Sequence, residues 1–240
     1  MDATSLNVKI FADGASLEEM IQTYKKYLFV RGFTTNPTLM RKAGVTDYEA
    51  FAHQVITAIP DRPISFEVFS DDFYEMERQA NHISSWGANV YVKIPVSNTI
   101  GESSAPLVAR LARTGVKQNV TALMTTDQVR EIADALAGGP SSFISVFAGR
   151  IADSGRDPLP IMRASLAIVA SQPQIELIWA SPREVFNIIQ AHEIGCHIIT
   201  VTNDLITKTK LFGRDLMEFS VDTVKMFRGD AIAAGFQLYI

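Results

Sequence analysis

Short runs rich in β-branched and aromatic residues alternate with longer amphipathic stretches along almost the whole chain. Eight runs carry the strand pattern: residues 8–12, 30–34, 64–68, 90–94, 118–122, 143–147, 175–179 and 197–201. Between them apolar positions recur at helical spacing, most clearly over 16–27, 47–59, 71–86, 126–136, 158–171 and 182–192. Start signals sit where these stretches begin. Ser16 with Glu19, and Ser181 with Glu184, have capping-box spacing, while Pro158 and Pro182 suit a first helical position. Gly32, Gly87, Gly115, Gly138 and Gly195 fall after helical stretches, where glycine ends helices. Strands separated by helices pair in parallel, so eight such units predict an α/β fold, a single (β/α)8 barrel over residues 1–240. A further helix, about 214–235, is expected to close the bottom of the barrel or reach a neighbouring subunit. A doubly wound open sheet fits less well, having fewer strands and, for a dinucleotide, a G-x-G-x-x-G that is not found here.

Composition narrows the function classes. The 240 residues are 47% hydrophobic and 20% charged, with 22 Lys and Arg against 26 Asp and Glu, a net charge of −4. Nucleic-acid binding through a basic surface is therefore not expected, because neutralising phosphates needs clustered cations. The longest uncharged run, 135–149, is interrupted by Gly138, Gly139, Pro140 and two serines, so no membrane span is expected. Met1-Asp2-Ala3-Thr4-Ser5 shows no signal-peptide pattern. One cysteine, Cys196, forms neither an internal disulfide nor a multi-Cys zinc site, and the expected address is the cytoplasm.

A barrel of this kind places catalytic groups at the C-terminal ends of its strands or inside near that rim. Polar residues within apolar strands are then informative, since a buried polar group without a partner costs about 1–3 kcal/mol. Asp13 ends the first run and Thr34-Thr35-Asn36-Pro37 the second; Glu67 interrupts the third and Lys93 the fourth. Asn119 and Thr121 share a face of the fifth, Ser145, Phe147 and Arg150 lie at the sixth, and Ser181 and Arg183 follow the seventh. In Val90-Tyr91-Val92-Lys93-Ile94-Pro95 the aliphatics at 90, 92 and 94 suit the outer helices, which turns Tyr91, Lys93 and Pro95 into the barrel. Desolvation of a buried amine favours its neutral, nucleophilic form, so a Schiff-base role and a structural pairing with Glu67 or Asp13 both fit that position. The two carboxylates suit acid/base work or service as counter-ions. Asn119 and Thr121 suit either buried hydrogen bonds or the holding of a water or a substrate hydroxyl. Arg150 and Arg183 offer forked donors to phosphate or to a surface carboxylate, and Ser181 can cap the next helix beside an anion.

Other polar residues carry less. The four histidines, His53, His82, His192 and His197, are scattered, so no metal ligand set is expected. Asp71-Asp72 suits a helix start, Met20, Met40 and Met162 suit core filling, and Cys196 suits the core or the bottom face.

The motifs Phe33-Thr34-Thr35-Asn36-Pro37, Tyr91-Val92-Lys93-Ile94-Pro95, Asn119-Val120-Thr121-Ala122-Leu123, Ser145-Val146-Phe147-Ala148-Gly149-Arg150 and Ala180-Ser181-Pro182-Arg183 occur in order at strand ends. In this the chain resembles the transaldolase family, in the short-chain branch shared with fructose-6-phosphate aldolase, over residues 8–213. It lacks the large extensions of the long transaldolases. The resemblance implies a metal-free, cofactor-free class I transfer of a dihydroxyacetone unit from a ketose phosphate (fructose 6-phosphate or sedoheptulose 7-phosphate) to an aldose phosphate, as in the pentose phosphate pathway. It implies Lys93 as Schiff-base lysine, Asp13 as acid/base at the C4 hydroxyl, and Glu67 acting through a water near Thr121. It implies substrate binding by Asn36, Thr35, Asn119, Ser145 and Phe147, and phosphate binding by Arg150, Ser181 and Arg183. The aldolase branch has glutamine where Glu67 stands and tyrosine where Phe147 stands, so transfer is expected over release of free dihydroxyacetone. An inert sugar-phosphate binder would be expected to lack Lys93 or a carboxylate. Sugar phosphates are the expected partners, and a homo-oligomer, pentamer or decamer, is implied by short members of the family.

Overall fold

Alternation within each apolar run gives the strands two apolar faces, and the fold uses both. The computed structural model describes residues 3–238. Its first half runs β1 (Lys9–Asp13), α1 (Leu17–Lys26), β2 (Val30–Thr34), α2 (Pro37–Lys42), α3 (Tyr48–Ala58), β3 (Ile64–Glu67), α4 (Phe73–Ser84), β4 (Val90–Pro95) and α5 (Ala105–Arg113). The second half runs β5 (Gln118–Leu123), α6 (Thr126–Leu136), β6 (Ser142–Val146), α7 (Ala148–Asp153), α8 (Leu159–Val169), β7 (Ile175–Trp179), α9 (Phe186–Glu193), β8 (Ile198–Thr202), α10 (Asn203–Lys208) and α11 (Leu216–Ala233). The strands close in sequence order, β1 pairing with both β2 and β8, and every pairing is parallel. The chain is therefore a (β/α)8 barrel, as the strand count predicts.

Outward residues such as Ile10, Phe66, Val92, Val120, Ile144 and Trp179 form one core with the helices. Helices join it through apolar positions spaced three and four apart, as Met76, Ala80 and Ile83 do in α4 and Val129, Ile132, Ala133 and Leu136 in α6. A second, smaller core fills the barrel: Phe11, Tyr91, Phe143, Ile178, Ala180 and Ile198. Tyr91 stacks on Phe143 at 4.1 Å, and Phe11 meets that ring edge-on at 5.7 Å. Gly32 makes room for Phe11, since a Cβ there would lie 2.5 Å from its ring. This aromatic floor seals the barrel beneath the polar rim. Register then sets the rim: Asp13 lies beside Thr34, Glu67 beside Lys93, Lys93 beside Asn119, and Pro95 beside Thr121.

Several local expectations are corrected. Pro182 does not begin a helix: α9 starts at Phe186, and Ser181 caps nothing because it sits at φ 60°, in the left-handed region. Gly32 lies within β2 and is there for packing. The capping box that forms is Thr125 with Gln128 on α6, whereas Ser16 caps α1 with its side chain. Asp72 caps α4, but Asp71 instead accepts from the Thr99 N–H at 2.7 Å. Helices α2, α5, α7 and α10 lie outside the six stretches of clearest helical patterning, and three of them are only six residues long. Finally, α11 buries no residue and so does not close the barrel bottom.

Candidate active site

Each strand contributes to the rim by the same two-residue period that built the core. On β4, Tyr91 goes to the floor and Lys93, the next inward position, stands above it. On β3 and β5 the same logic raises Glu67 and Asn119 to that level. Ten of the twelve residues singled out from the sequence line one open cavity of about 420 Å³: Asp13, Asn36, Glu67, Lys93, Asn119, Thr121, Ser145, Phe147, Arg150 and Ser181.

Lys93 is only 6% exposed. Its Nζ donates to the Thr35 carbonyl at 2.8 Å and lies 3.0 Å from Glu67 Oε2. A buried ammonium is tolerable only with such partners, and both sit on its own level of the barrel. Glu67 is held from behind: the Tyr48 hydroxyl, whose pKa burial raises, donates to the Glu67 carbonyl at 2.8 Å. Across the barrel, Asp13 accepts from Thr34 Oγ1 at 2.8 Å and faces Asn36 Nδ2 at 3.5 Å. Burial raises the Asp13 pKa above the ordinary carboxylate value; the nearby Lys93 charge offsets part of that effect. Two carboxyls thus stand in different surroundings beside one amine. That combination suits separate proton transfers.

The remaining polar groups form a chain around the wall. Ser145 Oγ donates to Asn119 Oδ1 at 2.7 Å, and Asn119 Nδ2 donates to Ser65 Oγ at 3.0 Å. Asn36 caps α2 by accepting from the Leu39 N–H at 2.9 Å, which fixes its amide toward Asp13. Thr121 Oγ1 is buried without a hydrogen-bond partner among the described residues, an unmet donor and acceptor on the cavity wall. A bulge in β5, where Thr121 and Ala122 oppose one residue of β6, aims this hydroxyl. Ala122 and Ser181 are the two non-glycine residues at positive φ among those described, and both line the cavity. Such strain is characteristic of functional sites.

Two of the twelve stand apart. Thr35 turns its hydroxyl to the Ser65 carbonyl at 2.8 Å, and what it offers Lys93 is its own carbonyl. Arg183 is not part of the cavity lining; two of its nitrogens are bound to Asp153, with Nε to Oδ1 at 2.8 Å. Arg150, in contrast, is on the wall and forms no salt bridge among the described residues. Thr34, Thr38 and Thr200 also line the cavity, and Thr200 Oγ1 lies 2.6 Å from Thr34 Oγ1, continuing the Asp13 network. Thr200 follows the same signal as its neighbours, a polar residue on the inward period of an apolar strand. Among the described residues no cluster of three or more His, Cys, Asp or Glu could hold a metal, and no helix is long and apolar enough to cross a membrane. Cys196 is buried, its thiol pushed up to about 12 by that burial.

The family model for transaldolase/fructose-6-phosphate aldolase matches residues 10–235. A "Probable transaldolase" of Dehalococcoides mccartyi is 34% identical over 195 residues, 81% of this chain and 86% of that protein. A "Probable transaldolase" of Methanococcus maripaludis is 31% identical over 216 residues, 90% of this chain and 94% of that one. Among solved structures, the fold is similar to an aldolase named QR15 (TM-score 0.58, 12% identity, covering 87% of this chain and 96% of the other). It is also similar to dihydrodipicolinate synthase from Rhodopseudomonas palustris (TM-score 0.54, 15% identity, covering 92% and 80%). At those identities the likeness concerns the barrel alone. The family match spans the strands that carry Asp13, Glu67 and Lys93, and the chain is thus an enzyme of the transaldolase/fructose-6-phosphate aldolase family.

Proposed function

We propose that the protein is a class I transaldolase, a transferase that moves a dihydroxyacetone unit from a ketose phosphate to an aldose phosphate through a Schiff base on Lys93. The observation that carries this is a single buried lysine with a carboxylate at 3.0 Å and a second, separately held carboxyl in the same cavity.

The chemistry follows from the positions. Lys93 Nζ, neutral after passing a proton to Glu67, attacks the ketose carbonyl carbon and gives a carbinolamine. Glu67, with a water held at Thr121, returns a proton to the departing hydroxyl, and water leaves as the iminium forms. Asp13 removes the C4 hydroxyl proton, the C3–C4 bond breaks, and its electron pair moves into the iminium to leave an enamine on Lys93. An acceptor aldehyde then adds to that enamine by the reverse steps, and hydrolysis frees the new ketose. Asn36, Asn119 and Ser145 hold substrate hydroxyls, while Arg150, Ser181 and Arg183 serve the phosphate end. Phe147 presents a ring without a titrating hydroxyl, so the enamine meets no local proton donor there.

The oligomeric expectation has support of its own. Leu216, Met217, Val224, Phe227 and Ile232 of α11 are each more than 60% exposed, an apolar surface that a neighbouring copy would bury in a pentamer or decamer. The cytoplasm remains the expected compartment, in keeping with a single buried thiol.

The test is covalent trapping. Borohydride added with fructose 6-phosphate should leave a reduced three-carbon adduct on the peptide containing Lys93, and Lys93→Met should abolish it. An adduct on another lysine, or none from an active preparation, overturns the Schiff-base assignment.

A further inference from the structure

We propose that Asp153 is a positioning residue for the phosphate end of the site: it grips the Arg183 guanidinium along one edge and presents the other edge, beside Arg150, to a substrate phosphate. The inference rests on the sugar-phosphate reading above and assigns a role to a residue that reading does not use.

Asp153 ends α7, three residues after Arg150, so one short helix carries both groups. Its two carboxylate oxygens accept from Nε and Nη2 of Arg183. A guanidinium has five N–H donors in a rigid fork. Two are engaged by Asp153, leaving both hydrogens of Nη1 and the second of Nη2 on an edge that matches phosphate oxygens. The loop behind Arg183 is tied to the same helix. The Gly149 N–H faces the Ala180 carbonyl at 3.4 Å, and a Cβ at Gly149 would fall 1.5 Å from Ser181 O and 3.4 Å from Arg183 Nε. Backbone contact and ion pair together hold Arg150, Ser181 and Arg183 as one unit, although Arg183 comes from another strand end.

The pair is half exposed on both sides, so it adds little to folding, and its effect is on geometry. An arginine free to explore its rotamers loses conformational entropy when fixed, and a preset partner removes part of that loss from substrate binding. The Arg183 hydrogen bond holds the Asp153 carboxyl below its ordinary value, so the grip persists at neutral pH. The opposite possibility is that Asp153 competes with phosphate for Arg183. The two differ in sign.

The experiment compares wild type, Asp153→Asn and Asp153→Glu as full chains, with fructose 6-phosphate and with fructose as donor at one saturating acceptor. Binding of inorganic phosphate, followed by the rise in melting temperature it produces, supplies a readout independent of turnover. For Asp153→Asn the expected result is a KM for fructose 6-phosphate raised about three- to tenfold, with kcat and the fructose KM nearly unchanged. Phosphate affinity should fall by the same factor, and Asp153→Glu should recover part of both. Unchanged or tighter phosphate binding overturns the proposal, because the carboxylate is then a bystander or a competitor. An equal rise in KM for both donors also overturns it, in favour of a general structural role. If wild type yields no trapped adduct on Lys93, the Schiff-base reading fails, and phosphate binding alone still decides the role of Asp153.

Discussion

Replacing Gly149 by alanine tests how closely α7 and the β7–α9 loop are fitted. A Cβ at Gly149 would lie 1.5 Å from Ser181 O and 2.7 Å from Ser181 C. Ordinary carbon–oxygen contact begins near 3.4 Å, so one of the two backbones must retreat by about 2 Å. Neither has much freedom. Ser181 is already left-handed, and Ala180 N–H is bonded to the Val146 carbonyl at 2.8 Å. Overpacking of this kind costs about 1–3 kcal/mol, which for a chain of this size lowers Tm by roughly 2–12 °C. The same shift moves Ser181 and Arg183, and a displacement of about 1 Å can cost on the order of 100-fold in rate. Differential scanning calorimetry together with kcat/KM for fructose 6-phosphate and fructose measures both effects, with the larger loss expected on the phosphorylated donor. Gly229→Ala is the control: outside its own stretch of helix nothing in the protomer lies within 4 Å of its Cβ position, and alanine in a helix should leave Tm unchanged or slightly raised. A Gly149→Ala protein with wild-type Tm and KM refutes the steric reasoning. Equal losses on both donors refute the link to phosphate.

Asp13→Asn should lose at least about 100-fold in kcat/KM yet be more stable than the unmodified protein by a margin that grows as pH rises. Burial raises the Asp13 pKa, so ionising it destabilises the fold between the unfolded value near 3.9 and the higher folded value. The Tm advantage of the asparagine variant should therefore be smallest at pH 4 and larger at pH 8; an advantage that shrinks with pH rules out burial as the dominant cause. Phe147→Tyr should shift the products of fructose 6-phosphate toward free dihydroxyacetone, whereas the unmodified protein should release little and speed up when an aldose phosphate is added. Equal rates of release and transfer in the unmodified protein replace the transaldolase reading by the aldolase one. Arg150→Ala removes a charge-assisted contact worth about 1.5–3 kcal/mol, roughly 10- to 150-fold in kcat/KM for a phosphorylated donor. Equal losses with an unphosphorylated donor make that arginine structural.

The inward placement of Lys93 was legible because Val90, Val92 and Ile94 occupy alternate positions that must meet the helices. Glu67 between Phe66 and Val68, and Asn119 beside Val120, follow from the same alternation. Thr34 and Thr35 show how far that rule reaches. Adjacent residues face opposite ways, so with Phe33 in the outer core it is Thr34 that enters the cavity, and Thr35 turns to the Ser65 carbonyl. Strict alternation would have favoured Thr34, and it would have found Thr200 on the eighth strand.

Short helices such as α2 and α7 were not legible, because six residues carry less than two turns of periodicity. The capping spacing at Ser181 and Glu184 misled for a related reason. The local pattern permits a helix start there, but Ser181 is left-handed and its carbonyl packs against Gly149, which lies far earlier in the chain.

Local hydrophobic period, set by each residue's preference for core or water, was thus enough to determine the barrel, its closure in sequence order and most of the polar groups on one rim. Which of those groups pair was decided only in three dimensions. The Glu67–Lys93 register, the Arg183–Asp153 grip and the unpartnered Thr121 hydroxyl each depend on strand stagger and loop packing between distant segments. Those are long-range constraints, and no window of neighbouring residues contains them.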